Sequence, residues 1–240
     1  MNEFEQPGYG EAAHTRHAQV VFVIDTSGSM MELIAGLKAV IDDIANIYSK
    51  FRIFSEFGLI EFRHLPTDDS PYSSLRRLSP DWTENPRRFS RMVSKLDAKG
   101  GGPYRESAHE ALKLACESDW DDRSSTKRII ILAADTKPDH SSLSSREVKE
   151  AFTTAGIDQF YYLVRYEKEY DIITQAKNRT GDDITPGTIP LKMPINRDEI
   201  RKQFIELAEH SGYSMGGRQE PESETDEEDS DDDDSEVIGL

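Results

Sequence analysis

The chain is poor in cysteine, in long apolar runs and in cations, and each shortage excludes something. Cys116 is the only cysteine among 240 residues, so no internal disulfide can form. A lone thiol suits a reducing compartment, and a cytoplasmic location is expected. No apolar run approaches the ~20 residues that span a bilayer. The stretch MNEFEQPGYGEAAHTRH lacks a basic segment followed by an apolar core, so it is read as a loose leader over residues 1–17 and not as a signal peptide. Lys and Arg number 29 against 46 Asp and Glu, for a net charge of −17. A chain of that sign lacks the cations that neutralise phosphates, which argues against general nucleic-acid binding. His14, His17, His64, His109, His140 and His210 are scattered, at none of the spacings of a zinc site. No phosphate-cradling Walker A motif, no G-x-G-x-x-G and no internal repeat occurs, and DTSGSM is not a G-x-S-x-G nucleophile elbow.

Apolar residues make up only 36% of the chain, and the deficit is local. Residues 219–240, QEPESETDEEDSDDDDSEVIGL, hold 12 acidic residues and no Lys or Arg, which leaves −5 for the rest. Such a like-charge block cannot bury enough apolar area to offset its ordering entropy, so 213–240 is expected to be a disordered acidic tail. Its terminal EVIGL reads as a plain end or as a short docking element.

Elsewhere the pattern is that of an alternating α/β chain. Ala18 to Ile24 is apolar apart from Gln19, which suits a strand buried on both faces of a parallel sheet. The next stretch, MELIAGLKAVIDDIANIYSK, sets Ile34, Leu37, Ile41, Ile44 and Tyr48 at helical spacing. Strands are predicted over Phe51 to Phe62, near Ser73 to Leu78, over Lys127 to Ala134, over Gln159 to Val164 and, more weakly, over Thr185 to Leu191. Helices are predicted over Asn85 to Leu96, Ser107 to Ser118, Ser144 to Ala155 (capped by Ser142 or Ser144), residues 169–179 and Asp198 to His210. Strands alternating with helices imply a doubly wound, mostly parallel sheet flanked by helices on both faces. Such sheets bind ligands beyond the carboxyl ends of their strands, where Asp25 and Asp135 both fall.

The stretch VVFVIDTSGSM, Val20 to Met30, ends its apolar run on oxygens. Asp25, Ser27 and Ser29 offer a carboxylate and two hydroxyls at alternate positions, and Gly28 permits a tight path between them. Hard oxygen donors suit Mg²⁺ or Mn²⁺, and Asp135 is placed to ligate the ion or to hold a coordinated water. The competing reading is a plain helix start, with Ser27 or Ser29 as cap and Asp25 favouring the helix dipole.

These residues, together with FGLIEF, KGGGPYRESAHEALKLA and RIIILAADTKPD, resemble the von Willebrand factor A domain family over residues 18–212. The resemblance implies a Rossmann-like, mostly parallel sheet with one short antiparallel edge strand. It implies a metal-ion-dependent adhesion site on the sheet's upper edge, completed by an acidic residue of a partner. It also implies a binding module and no enzymatic activity. Asp25, Ser27 and Ser29 match the family's ligands and Asp135 its later acid. The remaining ligand, a Thr or Asp after the glycines, is replaced by Pro103, which has no side-chain oxygen. Glu106 or Ser107 is the candidate substitute, with Tyr104 after them; otherwise the site binds metal poorly or only with a partner present. Intracellular relatives commonly serve multi-protein assemblies beside AAA+ ATPases or in bacterial stress and conflict systems, so a partner protein of that kind is expected. The alternatives are a scaffold whose degenerate metal site leaves binding to its helices or acidic tail, and a metal-assisted hydrolase, which lacks an evident general base.

Three smaller expectations complete the reading. Arg76, Arg77, Arg87, Arg88, Arg91 and Lys95 form either a solvated face or a surface for an acidic segment such as the chain's own tail. Met30 and Met31 are expected in the core. Trp82 either covers a core edge or stands exposed near the binding face.

Overall fold

The structure, a computed structural model, describes residues 16–63, 75–77, 82–99, 105–139, 143–191, 194 and 196–215. In chain order these form β1 (Arg16–Asp25), α1 (Met31–Lys50), β2 (Ile53–Phe62), β3 (Leu75–Arg77), α2 (Pro86–Val93), β4 (Arg105–Glu106), α3 (Ala108–Cys116), β5 (Thr126–Ala134), β6 (Lys137–Pro138), α4 (Ser145–Ala155), β7 (Gln159–Val164), β8 (Thr185–Pro190) and α5 (Arg197–Ser214). Pro103, Tyr104 and the acidic tail lie outside the described residues, as do the side chains of Arg76, Arg77, Arg105 and Glu106.

The main sheet runs β3-β2-β1-β5-β7-β8. Five strands are parallel and β3 pairs antiparallel with β2 at the edge. The central strands are buried on both faces, so their side chains alternate between two cores. Val20, Phe22 and Ile24 of β1, with Ile129 and Ile131 of β5, meet α1, α2 and α5. Val21 and Val23, with Ile130 and Leu132, meet α3 and α4. The doubly wound α/β architecture expected from the sequence is therefore present. Among the described residues no helix is long and apolar enough to cross a membrane.

The opposite, amino-terminal edge of the sheet is closed by polar contacts. Gln19 Nε2 donates to Glu56 Oε2 at 2.9 Å and Gln19 Oε1 accepts from the Asp121 amide at 2.7 Å. Arg123 beside Asp121 holds that carboxyl well below the usual range.

Local differences from expectation have physical causes. Residues 169–179 form no α-helix; two 3₁₀ turns, Glu167–Glu169 and Ile173–Gln175, take their place. Tyr170, Ile173 and Ala176 are all fully buried, and a three-residue spacing suits the 3₁₀ repeat better than 3.6. Met30 is buried but Met31 is 59% exposed, because the buried stripe of α1 runs through Leu33, Leu37, Val40 and Ile44 and leaves Met31 above exposed Lys38. Trp82 covers a core edge: its Nε1 donates to Asp119 O at 2.7 Å and its ring lies 5.0 Å from that of Trp120. Ser144, not Ser142, caps α4, in a capping box with Glu147.

Helices α1 and α5 approach most closely at Gly36, where an added Cβ would lie 2.8 Å from Ile200 Cγ2 and 3.2 Å from Arg197 O. Gly36→Ala should therefore forfeit the roughly 1 kcal/mol that alanine usually gains in a helix and destabilise the protein by about 1–2 kcal/mol through overpacking, read as a lower urea midpoint. Tyr48 supplies a pH test. Its phenol is fully buried, donates to Ser211 Oγ at 3.2 Å, and burial pushes its pKa above the ordinary value. The fold keeps the proton that the unfolded chain releases near pH 10, so this contribution is complete below pH 10 and lost as pH rises further. Tyr48→Phe should cost about 1 kcal/mol at pH 8 and remove about 1.4 kcal/mol per pH unit from the alkaline loss, in urea titrations up to pH 11.

Candidate metal centre

Strand β1 leads through α1 to β2 on one side, whereas β5 leads through α4 to β7 on the other. The two neighbours β1 and β5 thus flank the point where the winding reverses, and the crevice beyond their carboxyl ends is where open α/β sheets bind ligands. Register pairs Ile24 with Ala133, so Asp25 and Asp135 emerge side by side at this crevice, one residue out of step. Both are buried, at 0% and 5% exposure.

The loop after β1 presents its oxygens compactly. Asp25 Oδ1 accepts from the Ser27 amide at 2.7 Å, and the hydroxyls of Ser27 and Ser29 are 3.2 Å apart. Ligands bound at 2.0–2.1 Å in an octahedron stand about 3 Å from each other, so the two hydroxyls already have the separation of neighbouring ligands of Mg²⁺. They are not helix caps. Ser27 precedes a 3₁₀ turn, Gly28–Met30, without a side-chain capping bond, and the N-cap position of α1 is Met30. Helices α2, α4 and α5, by contrast, are capped by the side chains of Asn85, Ser144 and Asn196.

Thr26 and Arg63 hold this loop in place. The Thr26 amide and Oγ1 donate to Phe62 O at 2.9 and 3.3 Å. The Thr26 carbonyl accepts from Arg63 Nε at 2.9 Å and from the Lys99 amide at 3.1 Å. Arg63 Nη2 also donates to Asp97 O at 2.8 Å, and the Arg63 carbonyl accepts from the Ser107 amide at 3.3 Å. The Asp25 loop, the end of β2, the segment entering the glycines and the start of α3 therefore meet at one residue, Arg63, through its guanidinium and its carbonyl.

The residues considered as substitutes for Pro103 arrive by a second route. Strand β4 pairs with β6, Arg105 opposite Lys137 and Glu106 opposite Pro138. That pairing sets the backbone of 105–107 beside the segment that begins at Asp135. Ser107 is buried; Glu106 is placed by its backbone alone. Among the described residues, Asp135 Oδ1 and the neighbouring Thr136 Oγ1 are buried without a hydrogen-bond partner. No three His, Cys, Asp or Glu side chains among the described residues cluster as a metal-binding group; the oxygens here come from two carboxylates and from hydroxyls.

Behind the loop stands Tyr170, fully buried, its Oη without a hydrogen-bond partner among the described residues. Burial, and after it the Asp25 charge, pushes its pKa up. His109 packs edge-on against it, with centroids 6.4 Å apart, and donates Nδ1–H to Leu143 O at 2.9 Å. Beside the centre, Lys137, Arg165, Tyr166, Lys168 and Glu169 line a cleft of about 390 Å³. The Arg165 amide donates to Ala134 O at 3.4 Å, and Lys137 and Arg165 flank the Tyr166 ring at 5.2 and 5.4 Å.

The structure thus brings Asp25, Ser27 and Ser29 into one loop and Asp135 to the adjoining strand end. Sequence reasoning missed Arg63, Thr136 and Tyr170. Arg63 directly follows an apolar strand and Thr136 follows Asp135, so the rule that drew attention to strand-end acids, widened to every polar strand-end residue, would have found both. Nothing local marks Tyr170.

Residues 19–149, more than half of the chain, match a sequence model of the von Willebrand factor A domain. Among solved structures, proximal thread matrix protein 1 (PTMP1) from the mussel byssus is similar with a TM-score of 0.55 at 12% identity, over 81% of this chain and 47% of that one. The chain spans less than half of that protein's length, and likeness at this identity speaks for the fold alone. No curated protein matches the chain.

Arg63→Met should remove two charged hydrogen bonds and cost about 2–3 kcal/mol. Amide hydrogen exchange should rise chiefly in residues 26–30 and 96–99, which an indiscriminate loss of stability would not single out.

Proposed function

Because the chain belongs to the von Willebrand factor A domain family, whose members are generally non-catalytic interaction modules, we propose that it binds a partner protein through a Mg²⁺-centred site at the carboxyl edge of its sheet. In this reading Asp25, Ser27 and Ser29 hold the ion, and Asp135 ligates it or orients a coordinated water. Ser107 or Glu106 supplies the oxygen that Pro103 does not. Mn²⁺ makes the same demands on ligand type. The observation that carries the reading is the Ser27–Ser29 hydroxyl pair, 3.2 Å apart, uncommitted to helix capping and next to the buried Asp25 carboxylate.

When bound, the cation offers a hard electrophilic site for one further oxygen, which an Asp or Glu of the partner provides. The chain's own residues prepare that position. Arg63 and Thr26 fix the loop before any ligand arrives, which lowers the ordering cost of binding. Around the cleft beside Asp135, Lys137, Arg165 and Lys168 stand against Glu167 and Glu169, with Lys137 paired to Glu169, so the rim is only slightly positive, a sign that suits an acidic partner segment. A component of a multi-protein assembly, such as an AAA+ ATPase, is the class of partner proposed.

Isothermal titration of Mg²⁺ and Mn²⁺ into the full chain, beside Asp25→Ala and the double variant Ser27→Ala/Ser29→Ala, tests the centre directly. We expect each variant to weaken ion binding at least about tenfold, equivalent to about 1.4 kcal/mol. Proteins recovered on the immobilised chain in Mg²⁺ should be released by EDTA and not recovered on either variant. Recovery unaffected by chelation and by all three substitutions would sink the metal-bridged reading.

A further inference from the structure

Helix α2 and the residues just after it carry cations that form no ion pair among the described residues, although Glu84 lines a groove together with Arg87. Arg87, Arg88 and Arg91 of α2 and Lys95, two residues beyond its end, are all exposed, and none makes an ion pair among the described residues; the one side-chain bond is Arg91 Nε donating to Arg87 O at 3.3 Å. On α5, by contrast, Arg201 pairs with Asp43, Arg197 with Glu32 and Lys202 with Glu206. The arrangement is also unfavourable in itself. Arg87 and Arg91 are like charges four residues apart. Every other α-helix has an acid in its first turn, whereas α2 has none and places Arg87 and Arg88 there, at the positive end of its dipole. A surface of this kind gains from an anionic cover.

The same chain holds a strongly anionic segment within reach. Helix α1 packs against both α2 and α5. At helix spacings of 8–10 Å, crossing α1 from α5 to α2 takes about 20 Å. Both relevant ends lie at the foot of α1. Gly212, near the end of α5, abuts Phe51 just beyond the last turn of α1. Asn46, in that helix's penultimate turn, lines a groove shared with Asn85 and Arg87 at the amino end of α2. Asp226, where the densest acid run begins, lies eleven residues beyond Met215. A flexible stretch of that length has a root-mean-square span of about 18 Å, and like charges extend it.

We propose that the acidic segment 220–236 of this chain docks on α2, its carboxylates set against Arg87, Arg88, Arg91 and Lys95. The contact is fluctuating and electrostatic: several carboxylates exchange over four cations without a fixed pairing, and salt weakens it. It is independent of the metal-centre reading, since it involves neither Asp25 nor Asp135.

The test uses the full chain, ¹⁵N-labelled, with Cys116→Ala and Ser230→Cys and a nitroxide on residue 230. At about 50 mM NaCl, amide signals of α2 should be broadened several-fold more than those of α4, whose Arg146 and Lys149 serve as a basic comparison surface; at about 500 mM the difference should vanish. Charge reversal at Arg87→Glu, Arg88→Glu and Arg91→Glu should abolish it at low salt, and the salt arm on the unreversed chain decides the matter if that variant folds poorly. Equal broadening of α2 and α4, no broadening, or broadening that survives high salt would overturn the proposal. So would α2 broadening in a mixture of nitroxide-labelled ¹⁴N chain and unlabelled ¹⁵N chain that matches the single-chain effect, because the tail would then be acting between copies.

Discussion

The carboxyl edge of the sheet depends on one residue whose side chain takes no part in its chemistry. Thr26 donates twice to Phe62 O and accepts at its carbonyl from Arg63 and Lys99. Four hydrogen bonds at about 1 kcal/mol each do not by themselves offset the ordering of residues 26–29, which costs about 1–2 kcal/mol per residue. The balance comes from burial of Met30, fully inside the core that α1 covers and contributing a further 1.5–3 kcal/mol or so. The loop is thus fixed by the same packing that fixes the first helix. The positions of Asp25, Ser27 and Ser29 follow from fold stability, and no ligand is needed to set them.

That arrangement places acids where an acidic protein can least accommodate them. Asp25 and Asp135 are buried at neighbouring strand ends in a chain of net charge −17. Burying a carboxylate is costly unless charge or hydrogen bonds compensate. The Ser27 amide and the amino end of the following turns help Asp25. Arg63, the cation built into the loop's support, directs Nε and Nη2 to backbone carbonyls. The divalent cation proposed for this site would offset two buried acids with hydroxyls beside them, and would account for serines left out of capping.

Much of this was legible in the sequence, and the illegible parts share a cause. β1, β5, β7 and α1 declare themselves because burial on two faces, or on one helical stripe, imposes a period over many residues. Ile34, Leu37, Ile41, Ile44 and Tyr48 are all buried as that spacing requires. β4 and β6 have two residues each, too few to show any period, yet they bring 105–107 to the Asp135 segment. The turns at 167–175 carry a three-residue spacing that a helical reading absorbs without notice. At the site, Asp25, Ser27 and Ser29 were readable because their oxygens interrupt an apolar run. Tyr170 was not, because it meets Asp25 only through the fold.

If the centre captures a partner's carboxylate as proposed, the twelve carboxylates of the same chain's tail bear on it as well. A segment joined to the domain by a short stretch of chain would be present at an effective concentration in the millimolar range, far above that of most partner proteins. Left free, it would compete at the metal for the position that a partner's acid is meant to fill. Cations on α2, on the flank of the sheet and away from its carboxyl edge, offer those carboxylates another place. The sequence gains a selective centre in this way only if many weak contacts on α2 outweigh one strong contact at the ion. Number favours α2, with four cations against one open coordination position, and geometry does so as well, because the tail's root and the amino end of α2 both lie at the foot of α1, away from the metal loop. Rising salt removes the α2 contacts first, since they are exposed and screened, whereas a carboxylate bound to a partly buried cation is screened much less. If both proposals hold, rising ionic strength would shift the tail from a surface that holds it aside toward a centre where it competes with the partner.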